Sequence, residues 1–147
     1  MLRQLALTDM GEAAQVHRTA FDQEMPWLIG LHTPDQDRWF YRERLFATCR
    51  VWGRFDDNVL SGIIAFRDGW VEQLYVLPTA QGRGVGSELL DVAKHACDRL
   101  ELWTFQRNAR ARGFYEARGF TLVEQTNGAR NEEREPDARY LWARAGR

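Results

Sequence analysis

The chain has 147 residues, 44% hydrophobic and 12% aromatic, enough apolar material for the core of one domain (1–147) and too much for a disordered segment. Its formal net charge of −1 lacks the basic excess with which nucleic-acid-binding proteins neutralise phosphates, so no nucleic-acid partner is expected. No apolar run approaches the ~18 residues of a membrane-spanning helix, and the apolar stretch of MLRQLALTDMGE is too short for a secretory signal, so a soluble, cytoplasmic protein without a membrane partner is expected.

Residues 2–7 alternate as a half-buried strand, and Asp9 with Glu12 reads as a capping box that opens a helix to about Phe21. Residues 23–32 follow without periodicity. Their stretch from Met25 to His32 is unusually apolar for a connection, which predicts a segment folded over a pocket or an interface. Thr33 followed by Pro34 has the form of an N-cap and a first helical position, starting a second helix that runs to about Phe46. Strands are expected at 50–55, 59–66 and 70–77, joined by Asp56-Asp57-Asn58 and Asp68-Gly69 into an antiparallel meander.

At Gly84 the hydrophobic period changes from two to 3.6. Val85, Leu89, Val92, Ala93, Ala96 and Leu100 then fall on one helical stripe, away from Glu88, Asp91, Lys94, His95 and Asp98. The junction reads Gln81-Gly82-Arg83-Gly84-Val85-Gly86. Residues without Cβ let the backbone curl close to a ligand, and the first N–H groups of the helix point at an anion there, with Arg83 adding positive charge. An ordinary strand-to-helix turn uses the same glycines. No Gly-Lys-Ser/Thr closes the run, and the third glycine of the dinucleotide fingerprint is missing, so neither of those phosphate loops is present.

A short strand at 101–105 precedes a helix at 109–117 capped by Asn108, and Gly119 suits a left-handed C-cap before a strand at 120–124. A last strand is expected at 139–143. The order β-α-α-β-β-β-α-β-α-β-β implies an α/β fold with a mixed, mostly antiparallel central sheet flanked by helices.

The glycine run, preceded by Leu74-Tyr75-Val76 and Pro78, resembles the pyrophosphate-binding motif of the GNAT superfamily of acetyl-CoA-dependent N-acetyltransferases. A second segment, Asn108 through Phe114-Tyr115 to Gly119-Phe120, resembles the later motif of that superfamily, in the right order and at the right distance. The similarity extends from about Leu2 to Trp142. It implies the GNAT arrangement of sheet and helices, and acetyl-CoA as acyl donor with an amine as acceptor. The implied donor contacts are Leu74, Tyr75 and Val76 on the strand, Gln81, Gly82, Arg83, Gly84, Val85, Gly86 and Ser87 in the loop, and Asn108 and Tyr115 beyond it. In the family the strand of Val76 bonds the pantetheine arm through its backbone, and the tyrosine at the Tyr115 position protonates the departing thiolate.

An amine with a pKa near ~10.4 is almost wholly protonated at neutral pH, and freeing its lone pair costs about 4–5 kcal/mol, so a base is useful. Glu72 is the candidate: alternation with Leu74 and Val76 puts it on one face of the strand leading to the loop, although an exposed or ion-paired carboxylate fits the same position. Tyr115 as acid faces a gap of ~1.5 pKa units to a thiol, which burial of the thiolate can close. A core tyrosine with a satisfied hydroxyl is its other reading. Arg107, Arg110, Arg112 and Arg118 form a basic cluster that either solvates a helix face or meets the 3′-phosphate of the donor. Residues 131–137 are acidic, fit to receive a cationic amine or to lie in solvent. His17, His32 and His95 have no metal-site spacing, and His17 and His95 fit helix surfaces. Cys49 and Cys97 form no CxxC and read as free thiols of a reducing compartment, and neither is paired with a base, so transfer without a covalent enzyme intermediate is expected. A non-catalytic acyl-CoA sensor is the competing function, and a homodimer is an assembly open to the chain.

Overall fold

A strand buried on both faces requires a covering layer on each, and β3 (Val59–Arg67) is buried at every position except its two ends. It lies third in a seven-stranded sheet of order β1-β2-β3-β4-β5-β7-β6, in a computed structural model that describes residues 1–145. The other strands are β1 (Leu2–Gln4), β2 (Arg50–Asp56), β4 (Trp70–Val76), β5 (Arg99–Phe105), β6 (Thr121–Thr126) and β7 (Asp137–Ala143). All neighbours are antiparallel except β4 and β5, which agrees with the mixed, mostly antiparallel sheet expected from the element order.

One face is covered by α1 (Met10–Glu24) and by the helical run α2 (Pro34–Trp39), a π-helical stretch (Phe40–Leu45) and α3 (Phe46–Thr48). Met10, Ala13, Ala14 and Val16 of α1 pack there with Tyr41, Leu45, Val51, Ile63 and Ala65. The opposite face is covered by α4 (Val85–Ala96) and α5 (Ala109–Glu116), where Val85, Leu89, Leu90 and Ala93 meet Ile64, Phe66, Leu100, Leu102 and Tyr140. Each cluster removes about a dozen apolar side chains from water, at ~25 cal/mol per Å² of apolar surface.

Local chemistry works as expected at several junctions. Thr33 accepts from the Gln36 N–H while Gln36 Oε1 accepts from the Thr33 N–H, closing a capping box with Pro34 at the first position. Asp57 and Asn58 both take positive φ (49° and 65°) in the two-residue β2–β3 turn, and Gly119 ends the α5 segment at φ 89°.

Other boundaries move. Strand β1 stops at Gln4, and Ala6 rather than Asp9 opens the helical region: it is extended (φ −96°, ψ 171°) and starts a single 3₁₀ turn, with Asp9 Oδ2 accepting its N–H at 2.8 Å. Arg3 holds Asp9 in that position at 3.0 Å. Helix α1 continues past Phe21 to Glu24. Leu100 does not belong to the α4 stripe: Cys97 turns extended (φ −132°, ψ 144°), and Leu100 is buried from β5 instead. A helix stripe and one face of a strand both turn that residue inward, so periodicity does not separate them.

Candidate active site

The site arises where two strands part. β4 follows β3 over its length but meets the parallel β5 at the single register pair Trp70–Glu101, so the sheet opens toward the C-terminal end of β4. Leu77 N–H bonds Ser61 O on β3, and by alternation the backbone groups of Val76 point away from β3, toward the opening. The Val76 carbonyl is not free for a ligand, however, because Gln81 Nε2 donates to it at 3.0 Å.

Beyond β4 the chain passes through a 3₁₀ turn (Pro78–Ala80) into the glycine loop. Gly82 and Gly84 have φ 79° and 81°, a conformation side chains resist, and Gly84 is the N-cap of α4. A Cβ on Gly86 would stand 3.1 Å from the Phe114 ring, so that glycine sets how closely α4 and α5 approach. A cleft of about 330 Å³ lies over this loop. Leu74, Tyr75, Val76, Gln81, Gly82, Gly84, Val85, Gly86, Ser87 and Tyr115, all expected at a donor site, line it together. Arg83 is exposed and does not line it.

The arginine cluster divides. Arg110 and Arg118 line the cleft, Arg110 bonding Gln81 Oε1 and Arg118 lying over the Phe114 ring at 3.8 Å. Arg118 Nε is buried without a hydrogen-bond partner among the described residues. Arg107 instead pairs with Glu135 and stacks on Trp27, and Arg112 donates to the Tyr140 hydroxyl at 2.9 Å. An open glycine cradle at a helix N-terminus, flanked by two guanidiniums, is a donor set suited to a polyphosphate.

Tyr115 is buried on α5, edge-on to Phe114 and Phe120, and burial raises its hydroxyl pKa well above the ordinary tyrosine range, the Glu24 carboxylate adding to the shift. Burial raises the Tyr75 hydroxyl likewise, with the charges of Glu24 and Glu133 among the further causes. The Tyr75 ring stacks on His17 at 4.3 Å. His17 is therefore not on a free helix surface: its ring is packed between Tyr75 and Tyr41, with Nδ1 2.6 Å from the Tyr41 hydroxyl, and burial followed by the Arg18 charge lowers its pKa to about 3.

A narrow gap of about 80 Å³ between β4 and β5 is lined by Phe21, Glu24, Gln73, Tyr75, Asn108 and Tyr115, among others. Asn108 caps α5 by accepting from the Ala111 N–H at 3.1 Å, and its Nδ2 donates to Glu24 Oε2 at 2.8 Å. Glu24 also lines the donor cleft. Glu24 is absent from the residues expected above, and its one mark in the sequence is a carboxylate in the last turn of a helix, where it opposes the macrodipole.

Glu72 lines the same gap, but not on the expected face. Phe66 pairs with Val71 and Ala65 with Gln73, so Glu72 is the extra residue of a β-bulge, which breaks its alternation with Leu74 and Val76. It is exposed and bonded to Arg67 at 3.0 Å.

On the α1 side of the gap, sharing Phe21 and Gln73 with it, lies a cavity of about 600 Å³. Its apolar walls are Phe21, Leu31, Trp39 and Phe40, the last two from the end of α2 and the π-helical stretch. Its polar groups include His17, Gln73, Glu132 and Glu133. Arg18 and Asp37 also line it and are joined in a two-point ion pair at 2.7 and 2.9 Å. The 25–32 segment reaches this cavity through Leu31 and His32, and His32 Nε2 lies 3.2 Å from Glu132. The acidic 131–137 segment does not simply lie in solvent either. Glu135 is buried, accepting from Arg107 at 2.9 and 2.8 Å and from Trp27 Nε1 at 2.9 Å.

Among the described residues no group of three or more His, Cys, Asp or Glu could hold a metal ion, both cysteines are free, and no helix is long and apolar enough to cross a membrane.

The chain is similar to the peptidyl-lysine N-acetyltransferase YiaC of Escherichia coli, 30% identical over 84 residues that cover 56% of this chain and 58% of that protein. It is 45% identical to the mycothiol acetyltransferase of Beutenbergia cavernae over 55% of this chain and 31% of that protein. The chain thus spans between about a third and three fifths of the length of these curated relatives. Its fold is that of the apo form of YjaB from Escherichia coli, with a TM-score of 0.82 at 19% identity over 99% of this chain and 98% of that one. The model of the acetyltransferase (GNAT) family matches residues 14–120, which contain most of α1, the glycine loop and Tyr115, and the chain belongs to that family.

Proposed function

We propose that the protein is an N-acetyltransferase that moves the acetyl group of acetyl-CoA directly to a primary amine. The observation that carries this reading is the meeting of two spaces at one point: the donor cleft and the 600 Å³ cavity are both adjacent to the β4–β5 gap, where Tyr75, Tyr115 and Glu24 converge. When bound, acetyl-CoA supplies an activated thioester. The backbone of the glycine loop would hold its diphosphate at the N-terminus of α4, with Arg110 and Arg118 flanking it. The parted edge of β4 would receive the pantetheine arm. Transfer forms a C–N bond to the acetyl carbon and breaks its C–S bond, and Tyr115 supplies the proton that the sulfur takes up.

The acceptor would enter the cavity between α1, the α2 region and residues 131–135. Its aromatic walls and the carboxylates Glu132 and Glu133 suit an alkylammonium group, whether on a small molecule or on a peptide or protein. The unpaired thiols fit a reducing cytoplasm. A homodimer is compatible with this scheme, since the residues of both spaces come from one chain. The acceptor cavity favours an enzyme over a sensor that only binds acyl-CoA.

Calorimetric titration with CoA, followed by thiol release from acetyl-CoA over a panel of amines, tests the reading. Binding together with amine-dependent thiol release is expected. Binding without turnover on any amine would favour the sensor, and failure to bind CoA would remove both.

A further inference from the structure

We propose that Glu24, rather than Glu72, takes the proton from the incoming ammonium group. This rests on the acetyl-transfer reading above and names the group that prepares the acceptor. Glu24 borders both the donor cleft and the β4–β5 gap. Its carboxylate is held by one bond, from Asn108 Nδ2 to Oε2 at 2.8 Å, and Asn108 is itself fixed as the α5 cap. The other carboxylate oxygen accepts no side-chain hydrogen bond among the described residues. Its charge is felt at both active-site hydroxyls, Tyr115 and Tyr75.

The other carboxylates are less suited. Glu72 sits on the bulge with its Oε1 bonded to Arg67. Asp37 is engaged at both oxygens by Arg18, and Glu132 lies against His32. Glu133 lines the acceptor cavity but neither the donor cleft nor the gap, which suits it to attracting an ammonium group rather than to standing beside the thioester. The charged and titratable groups lining the two spaces with Glu24 are Tyr75 and Glu72 from β4 and Tyr115, Arg110 and Arg118 from the α5 segment, and Tyr75 in turn feels the charges of Glu133 and Arg18.

In the step itself, one N–H bond of R–NH₃⁺ breaks, its proton goes to the Glu24 carboxylate, and the electron pair left on nitrogen forms the bond to the acetyl carbon. The second nitrogen proton replaces the one that Tyr115 gives to the sulfur. Glu24 returns its proton to solvent, so the reaction releases one proton per amide formed.

The test is the pH dependence of kcat/KM for wild type, E24Q and E72Q, with 1,4-diaminobutane and an Nα-blocked lysine amide as acceptors. E24Q should lose about 10²-fold near neutral pH, within the usual range for a general base. The deficit should narrow as pH rises, because the free amine then arrives already deprotonated. Affinity for CoA, read by calorimetry, should stay within about twofold, which separates a chemical role from a damaged cleft. A deficit that stays constant with pH, or a larger and pH-narrowing deficit in E72Q than in E24Q, overturns the proposal while leaving acetyl transfer intact. A wild type that binds CoA but releases no thiol with any amine of the panel, these two included, overturns the transfer reading and this proposal with it. Phenolate absorbance gives a check that needs no acceptor: E24Q should let the buried tyrosines ionise at lower pH, and unchanged titration would show that Glu24 does not face them.

Discussion

Asn108 and Glu24 are joined by a 2.8 Å hydrogen bond across 84 positions of sequence, tying the N-terminal cap of α5 to the C-terminal end of α1. One asparagine thereby serves a helix through its oxygen and a carboxylate through its nitrogen.

That double use can be separated. N108D keeps a capping oxygen for the Ala111 N–H but replaces the donor to Glu24 with a like charge, whereas N108A removes both bonds. The cap is worth about 1 kcal/mol, so N108A should lower the unfolding midpoint in denaturant more than N108D does. Both should reduce kcat for thiol release. If N108D retained full kcat, the Asn108–Glu24 bond would have no part in turnover.

Tyr115→Phe removes the proposed proton donor and leaves the packing against Phe114 and Phe120 in place. A fall of ~10²-fold or more in kcat is expected, with CoA affinity nearly intact by calorimetry. Full turnover by the variant would take Tyr115 out of the chemistry.

Gly84→Val places a β-branched side chain at φ 81° on the cap of α4. The left-handed conformation costs a β-branched residue about 1–2 kcal/mol or more, so the loop should relax away from the geometry that points its N–H groups at an anion. CoA binding should be lost while the far-ultraviolet dichroism stays close to that of the wild type. Retained affinity would contradict the cradle.

His17 makes stability sensitive to mild acid. Its native pKa, about 3, lies below the ordinary 6.5, so between those values the unfolded chain binds a proton that the native one does not. Stability therefore falls as pH drops below about 6.5, by at most ~1.4 kcal/mol per pH unit from this group. His17→Phe should flatten that part of the profile, read as denaturation midpoints between about pH 6.5 and about pH 4.5. An unchanged slope would show that His17 protonates freely in the native protein.

Glu135 anchors Trp27 and Arg107, connecting the 25–32 segment to the β6–β7 connection. Both segments also supply walls of the proposed acceptor cavity, through Leu31, His32, Glu132 and Glu133. Glu135→Gln should raise KM for the amine while leaving CoA affinity unchanged. Since hydrogen bonding to Arg107 holds the Glu135 carboxyl below its ordinary pKa, the native bond persists below about 4.5 and is lost only as pH falls through that lowered value. The amine KM should therefore rise at the acid end in wild type but not in the variant.

Much of this was legible from local chemistry. Gly82, Gly84 and Gly119 stand where positive φ is required, Asp57-Asn58 where a two-residue turn is required, and Thr33-Pro34-Asp35-Gln36 where a helix must begin. The meander and the α4 stripe followed from periods of two and 3.6. The places where the reading slipped are those where a local pattern has two solutions. Leu100 fits a helix stripe or a strand face, and Asp9 fits an N-cap or the third residue of a 3₁₀ turn. Glu72 lost its expected face to one extra residue, because a bulge reverses alternation without leaving a mark in composition.

By itself the sequence determined the glycine cradle of the proposed donor half, because the backbone conformation of a glycine loop and the start of the helix behind it depend on residues adjacent in the chain. Only the tertiary structure decided the proposed acceptor half. The opening of β4 from β5, the partition of four arginines into two at the cleft and two elsewhere, and the convergence of Glu24, Tyr75 and Tyr115 all depend on how distant segments pack. Packing also distinguishes carboxylates that look alike in sequence: Arg67 engages Glu72 and Arg18 engages Asp37, while Glu24 lines the β4–β5 gap with Tyr75 and Tyr115.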